Sequence, residues 1–193
     1  MPKEGTMMKK NLGSTLALYP MPLVVVGAMV DGQPTWTLAG HVGILGHDRV
    51  LVSLAKVHYI NRGIRETDAL SINLVDEPML PEADYVGSVS GANIDKSGVF
   101  ASTVGAGGAP VADCAKVSMA CIVADIYETQ GFDNFILEIR ATYADEAILN
   151  EAGKIDYSRF HPVLFEMPTY AYLRASEPIA KCLSLQHSES ERP

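Results

Sequence analysis

Short β-branched runs separated by polar turns dominate the chain, a pattern that predicts strands in most places and helices in few. Residues 23–30 (LVVVGAMV) read as a strand, and the Asp31-Gly32 pair that follows is a strong hairpin signal because both positions tolerate positive φ. The return strand is expected over 35–42, and a third strand over 50–55 after the polar turn at 46–48. Residues 58–66 read as a short helix or helical turn, and 69–75 as another strand stopped by Asp76-Glu77-Pro78. Residues 78–98 read as irregular with one or two helical turns, and 105–110 as a loop. Two long strands, 117–128 and 135–144, follow with partial apolar–polar alternation, as strands of a closed or packed sheet show. Turn signals around His161-Pro162 mark 153–168, and a charged tail ends the chain.

Six or seven strands, mostly hairpin-linked, predict a mainly β fold, either a Greek-key barrel or a sandwich, with a few short helices. The pattern contains no repeat of solenoid length and no linker. One domain over 1–193 is therefore expected, with tails at about 1–15 and 186–193.

Composition supports a packed domain: of 193 residues, 48% are hydrophobic and 20% charged. No apolar run approaches the roughly 20 residues needed to cross a bilayer, so no membrane role is expected. The N-terminal apolar stretch is broken by Pro20 and Pro22 and lacks a small-residue cleavage site, which argues against a signal peptide. Three widely spaced cysteines suit free thiols in a reducing cytoplasm. The net charge of −8 argues against nucleic acid as a partner, because phosphate neutralisation calls for the opposite balance.

Against that acidic background, residues 49–65 (RVLVSLAKVHYINRGIR) contain Arg49, Lys56, Arg62, Arg65 and His58 and no acid. A strand running into a helix start, with cations nearby, can hold a phosphate through backbone N–H groups and positive charge. The charge run taken alone fits a solvated basic face better. Ser53 and Lys56 match an S-x-x-K pattern, but Ser53 lies in a strand, where positions three apart face opposite ways. The Gly105–Gly108 run has Pro110 where a dinucleotide fingerprint needs glycine. The five histidines are scattered without an i,i+4 pair, so no metal site and no catalytic side chain are assigned.

Several blocks together carry a resemblance. These are residues 19–28 (YPMPLVVVGA), 31–34 (DGQP), 37–40 (TLAG), 52–64 (VSLAKVHYINRGI), 71–75 (SINLV), 84–91 (DYVGSVSG) with 95–97 (DKS), and Tyr172 with 177–182 (EPIAKC). In this order the chain resembles the flavin reductase-like family over about residues 10–185, and within it the flavoredoxin-type proteins. It departs from that pattern at Gly46–Arg49, where relatives often have Asp-Pro-Pro, and at Val86, Ala175 and Ala180.

The resemblance implies a six- to seven-stranded Greek-key split β-barrel that forms a homodimer with FMN near the interface. Trp36, Thr37, Leu38, Ala39 and Gly40 would line the isoalloxazine, and Ser53, Leu54 and Ala55 would follow the ribityl chain. His58, Tyr59 and Lys96 would approach the phosphate, with Ser90 and Gly91 close by and Asn73 near or buttressing the flavin. The implied activity passes hydride or electrons from NADH or NADPH through FMN to an acceptor, with the flavin itself doing the redox chemistry. An FMN electron carrier working with a protein or small-molecule partner, and a barrel that binds another ligand without redox, are the alternatives.

Overall fold

The computed structural model describes residues 9–185. The expected tails lie outside that range apart from residues 9–15, which are exposed and form neither helix nor strand. In chain order the elements are β1 (Met21–Pro22), β2 (Val24–Val30), β3 (Gln33–Ala39), β4 (Val42–Ile44), β5 (Arg49–Ala55), α1 (Ile60–Thr67), β6 (Ala69–Leu74) and α2 (Leu80–Ser88). Then come β7 (Ser102–Val104), β8 (Pro110–Ala112), β9 (Val117–Glu128), β10 (Phe132–Ala144), β11 (Val163–Glu166) and β12 (Ala171–Arg174).

Seven strands form one antiparallel sheet in the order β3-β2-β6-β9-β10-β5-β4. The two edge strands of that sheet, β3 and β4, are consecutive in the chain and separated only by Gly40 and His41. A link that short forces the sheet to curl until its edges meet, which is how the barrel closes. The single return strand expected over 35–42 is thus two strands that pass from one edge to the other. The expected mainly β barrel is the fold observed.

Alternation along each strand sends its side chains to two separate cores. Val24, Val26, Ala28, Leu54, Leu70, Ile72, Phe135 and Leu137 fill the barrel. Ile60 and Ile64, four residues apart on α1, join that cluster. Helix α1 comes this close because Gly63 has no side chain: a Cβ there would lie 2.2 Å from the Met29 carbonyl oxygen. Leu23, Val25 and Trp36 point the other way and pack against Met79, Ala83 and Val86 of the α2 region. Each fully buried aliphatic or aromatic side chain contributes roughly 1.5–3 kcal/mol.

The Asp31-Gly32 turn has φ of 49° and 77°, the left-handed pair that the sequence predicts for this hairpin. Helix α2 falls in the stretch expected to be irregular with one or two helical turns, and its nine residues exceed that expectation only slightly. Pro81 occupies its first turn, where a missing N–H costs nothing. The strands β7 and β8 and the β11–β12 hairpin were not expected. They are three or four residues long, and β11 pairs with Met21–Pro22, far away in sequence. A ring of three backbone bonds ties that hairpin to the barrel: Leu23 N–H to Val163 O (2.9 Å), Val163 N–H to Val75 O (2.8 Å) and Val75 N–H to Leu23 O (3.1 Å). No helix among the described residues is long and apolar enough to cross a membrane.

Candidate functional site

Strand β3, the start of α1 and the loop leaving α2 enclose a cavity of about 380 Å³. Its wall from β3 carries Thr35, Trp36 and Thr37, and its wall from the α1 entry carries Val57, His58, Tyr59 and Ile60. Gly87, Ser88, Val89, Ser90 and Gly91 form the third wall, and Lys96 completes the lining. Gly91 lets this loop lie against Tyr59, since a Cβ there would approach the Tyr59 ring to 2.8 Å. Ser90 pins the loop by accepting the Ala92 N–H at 3.3 Å through its hydroxyl and the Asn93 N–H at 3.1 Å through its carbonyl.

Lys96 is the feature that sets the chemistry. It is only 4% exposed, and its ammonium donates to the Val86 carbonyl (2.6 Å) and the Trp36 carbonyl (3.1 Å). Val86 belongs to the last turn of α2, so the lysine also caps the negative end of that helix. An ammonium has three donors, and two are taken. No carboxylate among the described residues lies within ion-pair distance of it, since none of the ion pairs involves Lys96. Burial lowers its pKa for lack of solvation. A buried charge without a counter-charge is costly, and an anion in the cavity would supply the missing partner.

His58 stands nearby, with Nδ1 3.4 Å from the Thr37 hydroxyl. Burial, and secondarily the Lys96 charge, lowers its pKa, so the imidazole is neutral at pH 7. Because the folded value lies below the unfolded one, the stability linked to neutral His58 is present above about pH 6.5 and is lost as pH falls through the folded value. Melting temperatures of the free protein between pH 8 and 5 should therefore fall toward acid, and the slope should be shallower in His58→Gln.

The cations of the basic stretch lie on an exposed face, as the charge run taken alone predicts, and none of the four lines the cavity. Arg49 faces Glu138 at 3.9 Å, Lys56 meets Glu128 at 2.6 Å, and Arg65 bonds both Glu128 (2.8 Å) and the buried Asp133 (2.9 Å). Arg62 pairs with Asp31 and Glu66. Each of the four cations meets an acid that folding brings from elsewhere in the chain, and Arg62 also meets Glu66 one turn along its own helix. From this stretch, His58 and Tyr59 reach the cavity with their apolar neighbours, and the cation there comes from Lys96, 31 positions beyond Arg65.

A second hollow of about 400 Å³ adjoins the first through Gly87 and Ser88. Leu23, Leu38, Gly40, Phe165, Tyr170 and Tyr172 line it, and the Tyr172 hydroxyl donates to Asp84. Burial and that bond push the Tyr172 phenol up to about 12.

Residues 16–172 match the family model described as the flavin reductase like domain. The chain belongs to the flavin reductase-like family. Among solved structures it is similar to the flavoredoxin of Methanosarcina acetivorans, at 30% identity and a TM-score of 0.87 over 92% of this chain and 97% of that one. It is similar also to the flavoredoxin of Desulfovibrio vulgaris (Miyazaki F), at 31% identity and 0.84 over 92% and 99%. An FMN-binding protein from Thermus thermophilus, at 21% identity and 0.78 over 91% and 100%, shares the fold. No curated protein sequence matches significantly.

Among the residues that the family resemblance singled out, Trp36, Thr37, His58, Tyr59, Ser90, Gly91 and Lys96 share the cationic cavity, while Leu38 and Gly40 line the adjoining hollow. The others lie elsewhere. Ala39 and Leu54 point into the barrel, and Ser53 and Ala55 are half-buried opposite Asn134 and Phe132 in the β5–β10 ladder. Asn73 is buried, and its amide is fully engaged within the fold. Thr35, Val57, Ile60, Gly87, Ser88 and Val89 line the cavity without having been singled out. Gly87 and Ser88 sit inside the family block at 84–91, which was the available signal.

Proposed function

We propose that this chain holds FMN with its phosphate at Lys96 and works as an oxidoreductase that accepts reducing equivalents from NADH or NADPH. The observation that carries the reading is the buried ammonium of Lys96, without an acid partner among the described residues, in the lining of a cavity in a flavin reductase-like fold. The residues present suit the group. Lys96 keeps one donor for a phosphate oxygen, and neutral His58 is placed to gain a proton beside a dianion. The start of α1 adds the partial positive charge of a helix N-terminus. Leu38 and Gly40, with Phe165 and Tyr172, offer an apolar and aromatic bed for a planar ring.

When bound, FMN supplies the hydride and electron transfer. The chain's part is to hold the phosphate, to orient the ring from β3 and the 87–91 loop, and to limit access of water. No protein acid or base is needed for that. Cys121 is no redox partner, because burial pushes its thiol up to about 12.

Similarity to two flavoredoxins at 30–31% identity favours a second reading, in which the chain keeps FMN and carries electrons to a partner protein. Adding NADH or NADPH to the FMN-loaded protein in a stopped-flow instrument separates the two. A reductase bleaches the flavin absorbance with at least one nucleotide and turns over added free flavin. A carrier retains FMN through gel filtration and turns over none. Protein that takes up no flavin would defeat both. The same preparation should sediment as a homodimer. The three free thiols support a reducing, cytoplasmic setting.

A further inference from the structure

We propose that Asn61 and Asp133 act as a positioning clamp on the turn that carries His58 and Tyr59, so that they set the grip on the flavin phosphate without touching it. This rests on reading the cavity as a flavin site. Neither residue lines the cavity, and both are 4% exposed. The turn between β5 and α1 has little of its own to hold it. Val57 is 88% exposed, and Tyr59, at the N-cap of α1, makes no side-chain capping bond. Asn61 supplies the missing lock from inside the first turn of the helix. Its amide reaches back to the Ala55 carbonyl at 3.1 Å and across to the Asp133 carboxylate at 2.9 Å. The same Ala55 carbonyl accepts the His58 N–H at 3.0 Å, and the His58 carbonyl accepts the Asn61 N–H at 3.1 Å. His58 is therefore held on both sides by groups bonded to Asn61.

The anchor for that lock lies on β10. Asp133 stands opposite Leu54 in the β5–β10 ladder, and its other oxygen accepts from Arg65 at 2.9 Å. Asn61 and Arg65 are four residues apart, so one face of α1 meets the same carboxylate twice. A buried carboxylate is costly even when paired, and apolar residues of similar volume often serve stability better. The amide is not fully used either, because the Asn61 Oδ1 is buried without a hydrogen-bond partner among the described residues. Two costly choices bonded to each other, next to the cavity-lining Ile60, fit a demand for position rather than for stability.

Titration of FMN, and of riboflavin, which has the ring and lacks the phosphate, against wild type, Asn61→Leu, Asp133→Leu and Asp133→Asn tests this. Each is measured at a temperature where circular dichroism shows the protein folded. A fault in the phosphate grip weakens FMN alone. Asn61→Leu and Asp133→Leu should each weaken FMN by about fivefold or more and riboflavin by less than about twofold. Asp133→Asn keeps an acceptor for the Asn61 amide and should stay within about twofold of wild type for both ligands. Should a leucine variant not fold, Asn61→Ser, whose side chain is one bond shorter, carries the same expectation. Equal losses for FMN and riboflavin would make the pair a general support of the fold and overturn the clamp. Unchanged FMN affinity in Asn61→Leu or Asn61→Ser would overturn it too, as would Asp133→Asn as weak as Asp133→Leu. Wild-type protein that binds riboflavin as tightly as FMN would instead remove the phosphate from the cavity, and the clamp's role with it.

Discussion

Lys96→Met is expected to weaken FMN binding by roughly 10- to 100-fold while leaving the free protein folded. A hydrogen bond to a charged partner is worth about 1.5–3 kcal/mol, and tenfold in affinity is about 1.4 kcal/mol. Methionine keeps the length and the apolar stem. It gives up two bonds to the Val86 and Trp36 carbonyls but also removes a buried charge that has no acid partner among the described residues. These effects oppose each other, so the melting temperature should move little compared with the affinity. Arg62→Ala is the control, because that cation sits on Asp31 and Glu66 and not in the cavity. Its FMN affinity should stay within about twofold of wild type. Equal affinity in Lys96→Met and wild type would mean that the phosphate lies elsewhere.

Asn73→Leu is expected to destabilise the fold by about 3 kcal/mol, because each stranded buried donor or acceptor costs about 1–3 kcal/mol. The Asn73 amide donates to the Val25 carbonyl (3.0 Å) and the Ser71 hydroxyl (2.9 Å), and accepts from the Ala112 N–H (3.0 Å) and the Ser118 hydroxyl (2.8 Å). It therefore stitches β2, β6, β8 and β9 together outside the barrel core. For a chain of this size, about 3 kcal/mol corresponds to a drop of roughly 6–12 °C in melting temperature. Differential scanning calorimetry measures it. FMN affinity at a temperature where the variant remains folded should be close to wild type. A large loss of affinity with an unchanged melting temperature would instead make Asn73 a flavin contact.

Lys96 and the basic stretch show why charge alone misleads in a sequence. Residues 49–65 stand out because they are basic and acid-free, yet folding sets Glu128, Asp133, Glu138 and Asp31 against their cations. Lys96 stands out in no charge pattern, being one lysine between Asp95 and Ser97, and only the family block at 95–97 singles it out. Its importance comes from being buried with two carbonyls and no acid, a property of its surroundings.

Local physics made the barrel strands legible. Val24–Val30, Arg49–Ala55 and Val117–Glu128 are long enough for side-chain alternation and β-branched content to register, and Asp31-Gly32 carries its own turn geometry. The family blocks, read from sequence as well, brought seven of the cavity's lining residues together before any coordinates. Tertiary structure decided what depends on distant partners. It split β3 from β4 at Gly40 and His41 so that the sheet could close, and it paired β11 with a two-residue strand some 140 positions away. It also chose which cations face acids and which one faces the cavity. Strand propensity acts between neighbours in the chain, whereas a counter-charge or an edge partner is supplied by whatever folding places alongside, and no local window contains that.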